Sequence, residues 1–118
     1  MVPVDLSDRN ERALGAALGL ARERGGRVTL FQVIQRVSGF APGEFDAFYR
    51  RLVERSERKL RQITRKFAEG GFDVRTAVRV GEPAAKIVRA TQRERVDLVV
   101  MGSHKVRPGS LGLRSTTA

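Results

Sequence analysis

Arg27-Val28-Thr29-Leu30-Phe31-Gln32-Val33-Ile34 is the stretch that decides the fold. It is rich in β-branched and aromatic residues, and it is apolar almost without a break. A strand with one wet face would alternate polar with apolar, so this pattern predicts a strand covered on both faces. Such strands sit at the centre of parallel sheets. Parallel neighbours must be joined by crossovers of a dozen or more residues, usually helices, and helical patterns lie on either side of the run.

On the amino-terminal side, Val2-Pro3-Val4 reads as a short buried strand. A helix follows from about Ser7 to Arg24. Ser7 suits the N-cap, Asp8 and Glu11 favour the first turn, and Leu14, Ala17, Leu18 and Ala21 form one apolar stripe that ends at Gly25-Gly26. On the carboxyl-terminal side, Ser38 to Gly43 reads as a loop, and a long helix runs from Glu44 to Glu69, stopped by Gly70-Gly71. Its expected core stripe is Phe45, Phe48, Leu52, Leu60, Ile63 and Phe67. Phe72 to Val80 alternates polar with apolar, as an edge strand with one wetter face should. Gly81-Glu82-Pro83 opens a third helix, with Pro83 at its first position and Ala84, Ile87, Val88 and Thr91 on the buried side. Val96 and Leu98-Val99-Val100-Met101 complete the pattern as an apolar strand broken at Gly102.

Strands and helices that alternate in this way build right-handed βαβ units, and so an α/β fold with a doubly wound parallel sheet. Ligands of such sheets bind beyond the carboxyl ends of the strands, where the strand order reverses. If the chain winds outward from the first strand and then returns to its other side, the first and fourth strands flank the crevice, and Asp5 faces Gly102 and Ser103 there.

The chain has 118 residues, enough for one domain over 1–118. It contains no cysteine, which excludes disulfides and thiolate chemistry. No apolar run approaches the length of a membrane span, and the first residues lack the features of a secretory signal, so a cytoplasmic location and no membrane partner are expected. The net charge is +10, from 23 Lys plus Arg against 13 Asp plus Glu. Much of it lies between Arg50 and Lys66, where Glu54/Arg58 and Glu57/Arg61 stand at the favourable i,i+4 spacing. With no aromatic stacking set and no nucleic-acid motif beside it, the charge reads as a solvated helix face, and nucleic acid is not expected as a partner. No nucleophile and base form a known pair, and neither a G-x4-G-K-[ST] nor a G-x-G-x-x-G motif is present, so a dedicated enzyme is not expected. No metal site is evident, and His104 has no Cys or acidic partner at ligand spacing.

Pro3-Val4-Asp5-Leu6-Ser7, Val28-Thr29-Leu30-Phe31-Gln32-Val33, Gly81-Glu82-Pro83-Ala84 and Val96-Asp97-Leu98-Val99-Val100-Met101-Gly102-Ser103-His104, in that order, resemble the universal stress protein family. The resemblance covers essentially the whole chain. It implies an adenine-nucleotide alpha-hydrolase-like fold with five parallel strands in the order 3-2-1-4-5, commonly dimeric, and an adenine nucleotide such as ATP or AMP bound in one branch of the family. Carried over, the binding residues are Pro3, Val4 and Asp5 after the first strand, Val33 at the end of the second, and Met101, Gly102 and Ser103 after the fourth. Asp5 would meet a ribose hydroxyl or the Mg²⁺ of a bound nucleotide. The family's phosphate loop has the form G-x2-G-x9-G-[ST]. Here Lys105 stands at its second glycine and Arg114 at its third, with Ser115 and Thr116 as the hydroxyl pair. Glycines let main-chain amides approach a phosphate, whereas Lys105, Arg107 and Arg114 would reach it by charge.

The resemblance also sets expectations about extent. Against the family pattern the chain reads as C-terminally incomplete, with strand order 3-2-1-4 and no fifth strand. Leu98 to Met101 is then an exposed edge that a homodimer or another edge-strand partner would cover. The two functions to weigh are a regulatory stress-response domain that binds an adenine nucleotide, with at most very slow ATP hydrolysis, and a stress protein that binds none and acts as a dimeric scaffold.

Overall fold

The computed structural model describes residues 1–5, 10–37, 39, 41 and 43–102. Three strands, β1 (Val2–Val4), β2 (Val28–Gln35) and β3 (Val74–Gly81), alternate with three helices, α1 (Asn10–Arg24), α2 (Asp46–Ala68) and α3 (Pro83–Arg93). All pairings are parallel. Val2 to Val4 lie against Leu30 to Gln32, and Val28 to Gln35 against Val74 to Gly81, so β2 is central and β3 is an edge, as expected.

The helices divide between the two faces of the sheet. Val2 on β1, Val28 and Leu30 on β2 and Val78 on β3 share one face, where they form a core with Ala13, Leu14, Ala17 and Leu18 of α1 and Leu60 of α2. The stripe expected on α1 is therefore the one buried. Gly25 ends that helix in a left-handed conformation (φ 71°), where a residue without Cβ carries no steric penalty. Helix α3 packs on the opposite face, toward Phe31 and Val33. A crossover that changes face also changes direction across the sheet, which is the winding expected of a doubly wound fold.

The fourth position is filled in reduced form. The Met1 amine donates to the Leu98 carbonyl at 2.8 Å, and the Val100 N–H donates to the Met1 carbonyl at 3.0 Å. Those two bonds, to residues two apart around one residue, make a single rung of a parallel ladder on the free side of β1. They preserve the order 3-2-1-4, but Leu98 to Met101 does not form the regular strand expected from its composition. Its neighbour is short, since β1 spans only three residues. Burial lowers the Met1 amine pKa, against the opposite pull of Glu94 and Asp97.

Two apolar stripes depart in part from the expected ones: Leu60, Ile63 and Phe67 of α2 face the core as expected, but the first half of that stripe does not. On α2, Phe45 and Phe48 are 39% and 50% exposed, whereas Tyr49, Ser56 and Leu60 are buried and Val53, Ile63 and Phe67 pack against the core. The inward positions 49, 53, 56, 60, 63 and 67 repeat at alternating steps of four and three, one residue off the phenylalanines. On α3 no residue is buried. Ala84 and Val88 are exposed, while Ile87 and Thr91 are half-buried. The expected α2 pairs are not closed either: among the described residues the ion pairs are Arg27–Asp73 and Arg75–Asp73. Exposed charges gain little from pairing, about 0.3–0.5 kcal/mol at helical spacing.

Candidate functional site

The site begins at the carboxyl end of β1. Asp5 follows the strand directly, and Asn10, the first residue of α1, folds back onto it. The Asn10 side-chain amide donates to the Asp5 carbonyl and to its carboxylate Oδ1 (3.1 Å), while the Asp5 N–H donates to Asn10 Oδ1 at 3.4 Å. This reciprocal bonding is how a short amide side chain satisfies main-chain groups where a helix begins. It fixes the turn that carries Asp5.

From that turn a cleft of ≈ 310 Å³ opens on the α3 face of the sheet. Pro3, Val4, Asp5, Val33, Met101 and Gly102 all line it. These are the expected binding residues that fall within the described part of the chain, and the fold gathers every one of them. Ser103, Lys105, Ser115 and Thr116 lie outside the described residues, as do Ser7, His104, Arg107 and Arg114.

Four further residues share the cleft: Asn10, Phe31, Pro83 and Ile87. Sequence reasoning placed Phe31 in the sheet, and Pro83 and Ile87 in a helix, without assigning them to the site. Their signal was topological, because the third helix must recross the sheet at the reversal. Asn10 carried a local signal as well, an amide side chain at the start of a helix five residues after Asp5.

Helix α3 is held in place at its first turn. The Glu82 carboxylate accepts from the Ala84 N–H (3.2 Å) and the Ala85 N–H (2.6 Å), and Pro83 takes the first helical position, as expected. Two orphan amides are thereby satisfied just beside the cleft. Chemically the cleft has two parts. Pro3, Phe31, Val33, Ile87 and Met101 make an apolar wall, and Asp5 and Asn10 supply a carboxylate and an amide at the β1 end. A flat apolar group could lie on the first while a hydroxyl-bearing one met the second. Among the described residues no cluster of His, Cys, Asp and Glu could hold a metal ion, and no helix is long and apolar enough to cross a membrane.

Comparison with known proteins agrees with this architecture. The model of the universal stress protein family matches residues 1–118. Universal stress protein MJ0531 of Methanocaldococcus jannaschii is 29% identical over 107 residues, covering 87% of this chain, and the chain spans 62% of that relative's length. Universal stress protein YxiE of Bacillus subtilis is 29% identical over 116 residues, which cover 90% of this chain and 78% of that protein. The solved structure of MJ0577, also from M. jannaschii, superposes with a TM-score of 0.75 at 29% identity, over 87% of this chain and 74% of that one.

Proposed function

The chain belongs to the universal stress protein family and has its adenine-nucleotide alpha-hydrolase-like fold, and from that premise we propose that it is a stress-response regulatory domain over residues 1–118 that binds ATP or AMP in the cleft between β1 and α3. One observation carries the reading: Pro3, Val4, Asp5, Val33, Met101 and Gly102, residues from three separate parts of the sequence, converge on that one cleft.

The residues fit the ligand. The wall of Phe31, Val33 and Ile87 suits a purine, and Asp5 at the β1 end suits a ribose hydroxyl or the Mg²⁺ that accompanies ATP. Gly102 at the lip leaves room for phosphates to approach the main chain. The domain holds the nucleotide without turning it over at a useful rate, because no nucleophile and base stand together in the sequence. A cytoplasmic location suits both the cysteine-free composition and a nucleotide ligand.

Thermal denaturation against ATP, AMP and a control sugar tests the proposal. A ligand that binds only the folded state stabilises it by about 2.7 kcal/mol at a hundred times its Kd, so Tm should climb with nucleotide and not with sugar. Asp5→Ala should flatten the climb. No shift at millimolar nucleotide would overturn the reading.

That outcome would favour the second reading, a dimeric scaffold. Its specific support is the edge beside β1, where Leu98 is 54% and Met101 63% exposed. Sedimentation velocity with Leu98→Lys would test it, a dimer in the parent and a monomer in the variant being the supporting result.

A further inference from the structure

We propose that a cavity at the amino ends of the strands is a second ligand site, one that takes a small amphipathic anion, an apolar body carrying a phosphate or a carboxylate. The cavity measures ≈ 530 Å³ and shares no lining residue with the cleft at the carboxyl ends. The proposal starts from the turn that ends α3. There the Val96 N–H donates to the Thr91 carbonyl at 2.9 Å and the Arg95 N–H to the Gln92 carbonyl at 3.4 Å. This pair of bonds closes a helix on a left-handed residue that is usually glycine. Here Arg95 holds the position at φ 50°, and among the described residues no other side chain sits at a positive φ. A left-handed residue with a Cβ costs stability, and such residues concentrate where a side chain has a task. Arg95 lines the cavity.

Three more arginines join it from other parts of the chain: Arg24 in the last turn of α1, Arg27 just before β2 and Arg75 on β3. Acids stand among them, and their contacts are specific. Asp73 holds Arg27 at 2.9 Å and reaches Arg75 at 4.0 Å, while Glu94 and Asp97, which line the cavity too, draw on the Met1 amine. Arg24 and Arg95 close no ion pair among the described residues. They carry the surplus of positive charge at this opening.

Much of the remaining lining is apolar. Ala17, Leu20 and Ala21 of α1 supply one part of it and Leu98 and Val100 another, with Leu20 37% and Leu98 54% exposed. Ligand sites typically combine an apolar wall with a few polar groups that fix orientation, and a guanidinium fork matches the oxygens of a phosphate or a carboxylate. An inorganic anion would leave Leu20 and Leu98 in water, and a neutral apolar molecule would leave Arg24 and Arg95 unmatched. An amphipathic anion meets both.

The test is calorimetric titration at low salt with naphthyl phosphate and naphthoate, and with inorganic phosphate and naphthol as the separate halves. At least one of the two amphipathic anions should bind about tenfold or more tightly than either half, and which one does so names the anion. Arg24→Gln should weaken that binding about tenfold, the loss of one charge-assisted contact. Arg95→Gly should weaken it similarly while Tm stays level or rises, because glycine suits the left-handed position. That opposition separates a ligand-binding arginine from a structural one. Arg58→Gln, which does not line the cavity, should bind as the parent does. No binding of either amphipathic anion, binding no tighter than that of phosphate or naphthol alone, parental binding or a lowered Tm in Arg95→Gly, or an equal loss in Arg58→Gln would each overturn the proposal.

Discussion

On the face of the sheet covered by α1 and α2, Val2, Leu30 and Leu60 have no exposed surface at all, whereas on the face covered by α3 no helix residue is buried and Val88 is 54% exposed. The first face is closed by two helices that bring long apolar side chains. Among the described residues the second is covered by one eleven-residue helix, and a cleft of ≈ 310 Å³ lies between that helix and the strands. Stability and binding thus make opposite demands on a sheet, and here they occupy opposite sides of it. The closed face supplies cohesion, which lets the open face leave apolar surface available to a ligand.

The contrast can be broken by substitution. Leu60→Ala removes a fully buried side chain from the closed face and should cost about 2–5 kcal/mol in urea denaturation. Ile87→Ala, on the open face, should cost clearly less. Equal losses would mean that the two faces share the load. Glu82→Ala removes the cap that holds α3 and should cost about 1 kcal/mol, with faster amide exchange at Ala84 and Ala85 as the local readout. Val88→Ser should change stability by less than about 0.5 kcal/mol. A larger loss would show that the outer side of α3 is covered in solution.

The closed face was the more legible of the two. Val28 to Ile34 announced a central strand because a strand buried on both sides has no alternation to hide it, and Leu14, Ala17 and Leu18 gave the α1 stripe by spacing alone. The second half of the α2 stripe, Leu60, Ile63 and Phe67, faces the core as expected, and its first half was misplaced by one residue for a physical reason. Phenylalanine is more apolar than tyrosine or serine, so Phe45 and Phe48 outweighed Tyr49 and Ser56, although the Tyr49 hydroxyl is satisfied by the Val37 N–H. On α3, Ala84 and Val88 looked as suitable for burial as Ile87, and only the packed sheet selects among them. At the site, Pro3, Val4, Asp5, Val33, Met101 and Gly102 were readable from the topological rule and the family pattern together. Phe31, Pro83 and Ile87 carried the topological signal alone, with no match to the family's binding residues, and were not assigned to the site. Ser103, Lys105, Ser115 and Thr116 fall outside the described residues.

The rung that joins Met1 to Leu98 and Val100 links residues 97 and 99 apart in the chain. The seam is held by two hydrogen bonds and by Val100 against the margin of the core, few contacts for a long-range closure, so it should form late in folding and open early in native fluctuations. Asp5 lies just beyond one side of the seam and Gly102 just beyond the other. Its opening would part the two lips of the cleft while Leu30 and Leu60 stay packed. The Val100 amide is therefore expected to exchange with solvent through a local opening, well before the amide of Leu30, and a ligand that bridges the lips should slow that exchange selectively.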